Sequence, residues 1–135
     1  MPRPDIREVV LFYPGKRLAR QVVAWARVRP DCTIEPVFAR SFPAIQHAIR
    51  GADLVVIDAT RDCAQAMDAF SQSLTYLGSA VTTVYTETMH EGLELFVRQH
   101  GSLLLLGPMS EVLWESYFDH AFRVCEEKRL WKQVA

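Results

Sequence analysis

Cysteine is scarce in this chain of 135 residues: there are three, Cys32, Cys63 and Cys125, widely spaced and without a Cys-x-x-Cys pair. That spacing argues against a disulfide framework and a zinc knuckle, and fits free thiols in a reducing compartment. The four histidines, His47, His90, His100 and His120, include no His-x-x-x-His pair, so no metal centre is expected. Long apolar runs are lacking as well. The densest, Leu103 to Leu106, is strand-sized and far short of the roughly 20 residues that a bilayer span needs. The opening Met1-Pro2-Arg3-Pro4-Asp5 has no apolar region of a signal peptide. A charge excess is also missing. Fifteen Lys and Arg against 16 Asp and Glu leave a net charge of -1, which offers no grip on nucleic acid or an anionic membrane. Neither of the glycine-rich phosphate motifs, Gly-x-x-x-x-Gly-Lys-Ser/Thr and Gly-x-Gly-x-x-Gly, occurs, and there is no Gly-x-Ser-x-Gly elbow. The expectation is a cytoplasmic, non-enzymatic domain spanning residues 1–135, with no cofactor and no nucleic-acid or membrane partner.

What is present is a repeated change of period. Half of the residues are hydrophobic, and they fall into short apolar runs alternating with helical patterns. The first run, Glu8 to Tyr13, stops at the turn signal Pro14-Gly15. Leu18, Val22, Trp25 and Ala26 then follow at i, i+4, i+7 and i+8, one face of a helix. The second run, Cys32 to Ala39, contains Pro36 and so reads as an edge strand, because proline cannot donate to a ladder. A short helix is expected after Ser41, with Ala44, Ile45, Ala48 and Ile49 inward and Gly51 as its stop. The run Asp53 to Asp58 is continuously apolar between two carboxylates, as a central strand covered on both faces would be. Cys63, Met67, Phe70, Leu74 and Leu77 give the next helix. Ala80 to Thr86 is rich in β-branched residues, and Met89, Leu93, Phe96 and Val97 follow it at helical spacing. Leu103 to Leu106 ends at Gly107-Pro108, and a last helix begins at Ser110 or Glu111 and extends toward Lys132. Strand and helix alternate five times. That order predicts an α/β fold, a doubly wound parallel sheet of five strands in three layers, flavodoxin-like in class.

In such a sheet, ligands bind beyond the carboxyl ends of the strands. The residues there are Tyr13-Pro14, Asp58, Thr86 and Gly107-Pro108. Together they resemble the receiver domain of two-component response regulators, of the CheY-like type, over nearly the whole chain. Gly51-Ala52-Asp53-Leu54-Val55-Val56-Ile57-Asp58 is similar to the receiver strand that ends in the phosphoacceptor aspartate, and the resemblance gives that role to Asp58. The strand ending at Thr86 resembles the one that ends in the switch Thr or Ser. Gly107-Pro108 lies where receivers carry Lys-Pro.

The departures from that pattern are chemical. Receivers place an acidic pair, which holds Mg²⁺, where this chain has Tyr13 and Pro14. They place a lysine where it has Gly107, and often an aromatic switch residue near Leu104. Phosphoryl transfer depends on cations that neutralise the moving phosphoryl oxygens, and Mg²⁺ needs carboxylate ligands. A degenerate receiver, or pseudo-receiver, working by protein contact is therefore expected. The competing expectations are a small anionic ligand or nucleotide held at the strand ends by Lys16, Arg17, Asp58 and Arg61, and a phosphorylatable stand-alone receiver. Asp58 is otherwise expected to pair with Lys16, Arg17 or Arg61.

The last helix is apolar over more than the arc of about 100° that one sheet face requires. Trp114, Phe118, Ala121 and Cys125 form one stripe, with Leu113, Tyr117 and Val124 beside it and Phe122 at the margin. Aromatic residues are enriched in partner surfaces. Trp114, Tyr117, Phe118 and Phe122 are accordingly expected to meet a signalling partner or a second copy in a homodimer.

Overall fold

The computed structural model describes residues 7–12, 15–37, 51–60, 63–73, 81–88, 91–99 and 103–134. In chain order it runs β1 (Arg7–Phe12), α1 (Lys16–Arg27), β2 (Cys32–Val37), β3 (Leu54–Asp58), α2 (Cys63–Ser73), β4 (Val81–Thr86), α3 (Glu91–Gln99), β5 (Leu103–Leu106) and α4 (Glu111–Val134). All four strand pairings are parallel, in the order β2-β1-β3-β4-β5. This is the order of flavodoxin-like doubly wound sheets. The helix expected after Ser41 falls outside the described residues.

The sequence patterns explain the placement. β2, with Pro36, is an edge strand. β3, flanked on both sides, is buried at all five positions. Because successive strand residues point to opposite faces, each continuous apolar run divides into two cores. Val9, Leu11, Leu54, Val56, Val81 and Tyr85 face one side, with α1 and α4 packed on it. Val10, Phe12, Val55, Ile57 and Val84 face the other, beneath α2 and α3. Leu18, Val22, Trp25 and Ala26 form the buried face of α1. Ser110 caps α4: its hydroxyl accepts the Leu113 N–H at 3.3 Å.

The aromatic stripe of α4 overturns one expectation. Trp114, Tyr117 and Phe118 are not available to a partner; they are 2%, 9% and 0% exposed. Phe118 stacks on Trp25 of α1 with ring centroids 4.3 Å apart. Trp114 packs on Tyr85 of the sheet at 5.5 Å and on Phe118 at 5.8 Å. The Tyr117 hydroxyl hydrogen-bonds the Thr83 hydroxyl at 2.6 Å, and burial raises the phenol's pKa. Phe122, half-buried, packs on Phe118 and lies beneath the Arg29 guanidinium. The apolar arc is wide because α4 touches both the sheet and α1. Two neighbours need a wider stripe than one. Arg29 closes the far side of this layer, with one nitrogen 2.9 Å from Asp119 and another 2.6 Å from Asp31.

Candidate functional site

Asp58 closes β3 at the carboxyl edge of the sheet, in register with Tyr85 of β4. Between them and the start of α1 lies a cleft of about 520 Å³, lined by Lys16, Arg17, Asp58, Thr60, Tyr85 and Glu87 among others. The sequence placed Asp58, Lys16 and Arg17 at one ligand site, and the structure brings the three together. Arg61, Tyr13 and Pro14 fall outside the described residues.

The electrostatics of the cleft differ from expectation. Asp58 is 5% exposed, and its carboxylate accepts two main-chain N–H groups. Gly15 donates to Oδ2 at 3.1 Å and Thr60 to Oδ1 at 3.0 Å. Among the described residues it makes no ion pair. The expected pairing with Arg17 is corrected: Arg17 reaches Glu87 Oε1 at 3.2 Å instead. The reason is access, since Arg17 is largely exposed and Glu87 lies at the mouth of the cleft, whereas Asp58 sits below it. A buried carboxylate needs hydrogen-bond donors, and the amides that start α1 and follow β3 are closest. Gly15 is the N-cap residue of α1 and no acidic side chain stands in that helix's first turn. Asp58 thus supplies, from another strand, the negative charge that a helix start favours.

Three residues here went unnoticed in the sequence: Thr60, Tyr85 and Glu87. The Tyr85 phenol donates to Glu87 Oε1 at 3.1 Å. Burial, and then this bond, hold its pKa well above the ordinary tyrosine value, so it stays a donor. The Glu87 N–H donates to the Thr60 hydroxyl at 3.2 Å, and the Gly107 N–H donates to the Thr86 carbonyl at 2.8 Å. These bonds stitch the chain after β3, β4 and β5 to the start of α1. The register of Asp58 against Tyr85 is the signal that would have found them, but register cannot be read before the strands are paired.

Thr86, to which the resemblance gives the switch role, is fully buried. Its hydroxyl donates to the Thr88 carbonyl at 2.8 Å and accepts the Thr88 N–H at 3.2 Å, a local turn rather than a bond across the cleft. Gly107 has its own reason to be glycine. A Cβ placed on it would fall 2.7 and 2.8 Å from ring carbons of Tyr85. The phenol fills the space into which a side chain at 107 would project. The peptide bond from Gly107 to Pro108 is cis. Leu104, which the resemblance sets near an aromatic switch residue, packs half-buried against the α2–α3 core. No cluster of three metal-ligating side chains exists among the described residues, and none of the described helices is long and apolar enough to cross a membrane.

No family model and no curated protein matches this chain. Solved structures do. The signal receiver domain of an HD domain-containing protein from Pseudomonas fluorescens superposes with a TM-score of 0.75 and 13% identity, over 90% of this chain and 98% of that one. A CheY-like response regulator receiver domain from Methanospirillum hungatei gives 0.74 and 7% identity, over 92% and 97%. A chain from Burkholderia pseudomallei described as pilus assembly-related gives 0.70 and 14% identity, over 90% and 92%. At these identities the likeness establishes the fold.

Proposed function

We propose that this chain, which has the fold of CheY-like response-regulator receivers, is a pseudo-receiver: a cytoplasmic signalling module that acts by protein contact and does not depend on phosphorylation of Asp58. The observation that carries this reading is the double main-chain bond to the Asp58 carboxylate. A carboxylate that receives a phosphoryl group must share the transferred charge with cations. Here the Asp58 carboxylate is buried, each oxygen accepts one main-chain N–H, and it makes no ion pair among the described residues. The two amides tie it to the helix start and the Thr60 turn, which fits a structural acceptor.

Three further observations support the same reading. Tyr85 fills the space over Gly107, so no side-chain cation can be delivered from that position. The Thr86 hydroxyl is committed to Thr88. Arg17, the cation that reaches across the mouth of the cleft, is neutralised by Glu87. The groups that would otherwise respond to phosphate are bonded to neighbours within the edge itself. Neighbours of the fold include both receivers and a pilus assembly-related chain, so the pathway is left to experiment.

Incubation with Mg²⁺ and a small phosphodonor, followed by intact-mass measurement, tests the proposal. The mass should not change. A stoichiometric phosphate lost on Asp58→Asn substitution would overturn it and favour a phosphorylatable receiver. The anionic-ligand reading rests on Lys16 and Arg17 lining the cleft. It is the weaker one, because Glu87 and Asp58 set two carboxylates against those two cations. Thermal stabilisation by phosphate or a mononucleotide would favour it.

A further inference from the structure

The two edges of the sheet are built differently. β2 closes one side and β5 the other. In a parallel ladder, successive residues turn their N–H and C=O alternately to the two sides of the strand. The Arg7 N–H of β1 donates to the Asp31 carbonyl at 2.8 Å. By that alternation Cys32, Ile34 and Pro36 face outward from β2. Pro36 thus turns its missing N–H to the outside, and Glu35 beside it is exposed. Proline and charge are the devices that stop an edge from pairing further.

β5 carries neither. The Gly107 N–H donates to the Thr86 carbonyl at 2.8 Å, so Leu104 and Leu106 turn their N–H and C=O outward. Among the described residues β5 pairs with β4 alone. The strand is four leucines. Leu103, Leu104 and Leu105 are half-buried and Leu106 is 49% exposed, whereas β3, with a strand on each side, is buried at every position. Leucine is left partly uncovered on both faces of β5, and the rim between them presents main-chain donors and acceptors.

We infer that β5 pairs antiparallel with β5 of a second copy, across a two-fold axis at Leu105, so that the two sheets become one. The inference rests on the reading above, that the chain acts by protein contact, and it names the partner. Donors and acceptors at strand spacing call for another strand, since a helix has its own backbone groups satisfied internally. Three features select the chain's own β5 as that strand. An all-leucine edge has no charge or pocket that would choose a foreign sequence, and no like charges oppose each other when it meets itself. A two-fold contact must be self-complementary, and this one is: Leu104 of each copy exchanges both bonds with Leu106 of the other, which uses every outward group of both strands. The β2 edge of another copy is blunted by Pro36 and Glu35, so pairing closes at two instead of running on into a fibre. The contact is confined to one short strand and its flanks, in the class below about 1,200 Å², and the dimer is therefore weak and reversible.

The experiment traps it. In this register the two copies of Leu105 form a non-hydrogen-bonded pair with Cα atoms about 4.5 Å apart, within disulfide reach. The two copies of Leu103 lie four residues out of register, roughly 13 Å apart. In the full chain carrying Cys63→Ser, with circular dichroism to verify folding, Leu105→Cys should form a covalent dimer under mild oxidation and Leu103→Cys should not. Intact mass without reductant reads the result. Leu106→Pro removes an outward N–H and leaves the ladder to β4 whole, and Leu106→Lys sets a charge on the edge. Added to Leu105→Cys, each should slow the cross-link about 10-fold or more. Raised salt should not slow it, because no charge pair holds the contact. No dimer from Leu105→Cys, equal trapping at 103 and 105, or trapping untouched by both changes at 106 would overturn the pairing and leave the edge to another protein's strand. None of these readouts involves Asp58 or a phosphodonor, so failure of the dimer is separable from failure of the pseudo-receiver reading.

Discussion

Asp58 and Trp114 are 5% and 2% exposed, yet they sit in regions of opposite construction. Asp58 lies at the carboxyl edge, in a cleft where a few hydrogen bonds from main chain and short side chains hold four loops together. Trp114 lies in a closed aromatic layer with Trp25, Tyr85, Tyr117 and Phe118, where rings touch rings. The edge is held by bonds worth about 0.5–1.5 kcal/mol each. The layer is held by dispersion and by removal of large apolar area, which no single exchange with water can replace. The difference separates stability from responsiveness: α4 holds the fold together, and the edge is where conformational change is cheapest.

The largest expected effect breaks the layer. Phe118→Ala should destabilise the protein by about 3–5 kcal/mol, the cost of a large aromatic cavity, read from urea unfolding. An unchanged unfolding midpoint with altered self-association would return Phe118 to the surface. Next comes the edge. Asp58→Ala leaves the Gly15 and Thr60 amides without their acceptor, and should cost about 1.5–3 kcal/mol, as for hydrogen bonds to a charged group. Asp58→Asn should recover part of that loss, because its amide oxygen still accepts one N–H. A fully stable Asp58→Ala would show that the carboxylate is kept for chemistry rather than structure.

Gly107→Ala pushes a methyl group into the Tyr85 ring and should cost about 1–3 kcal/mol by overpacking. Adding Tyr85→Leu should relieve the clash, so the double variant's loss should fall below the sum of the singles. Strict additivity would mean that the two residues do not compete for space. The smallest effect is expected for Arg17→Ala. Its pair with Glu87 is exposed, with 70% of the arginine side chain in solvent, and should be worth about 0–1 kcal/mol. A loss well above that range would show that the arginine locks the edge rather than decorating it.

Much of this was legible in the chain. The run Asp53 to Asp58 reads as a central strand because its apolar residues are continuous, and Pro36 reads as an edge because it cannot donate. Both placements hold. Leu18, Val22, Trp25 and Ala26 give the buried face of α1 from spacing alone. The site was legible only in outline. Asp58, Thr86 and Gly107 follow from their places at strand ends, but what each touches does not. Tyr85 and Glu87 drew no notice, because a tyrosine inside a β-branched run and a glutamate after it are ordinary in sequence.

The sequence by itself determined the element order, the parallel sheet and the absence of a glycine-rich phosphate loop. These depend on local periodicity and on residue types that permit or forbid a backbone geometry. Tertiary structure alone decided where the aromatic stripe of α4 goes and what Asp58 holds. Phe118 is inside because α1, more than 90 residues earlier, supplies Trp25 to cover it, and Trp114 because Tyr85 of the sheet and Phe118 pack on it. Asp58 meets Gly15 because strand pairing brings β1 beside β3. Periodicity says which face of an element is apolar. Whether that face is closed by the chain's own neighbour or left for a second molecule depends on contacts between residues far apart in sequence.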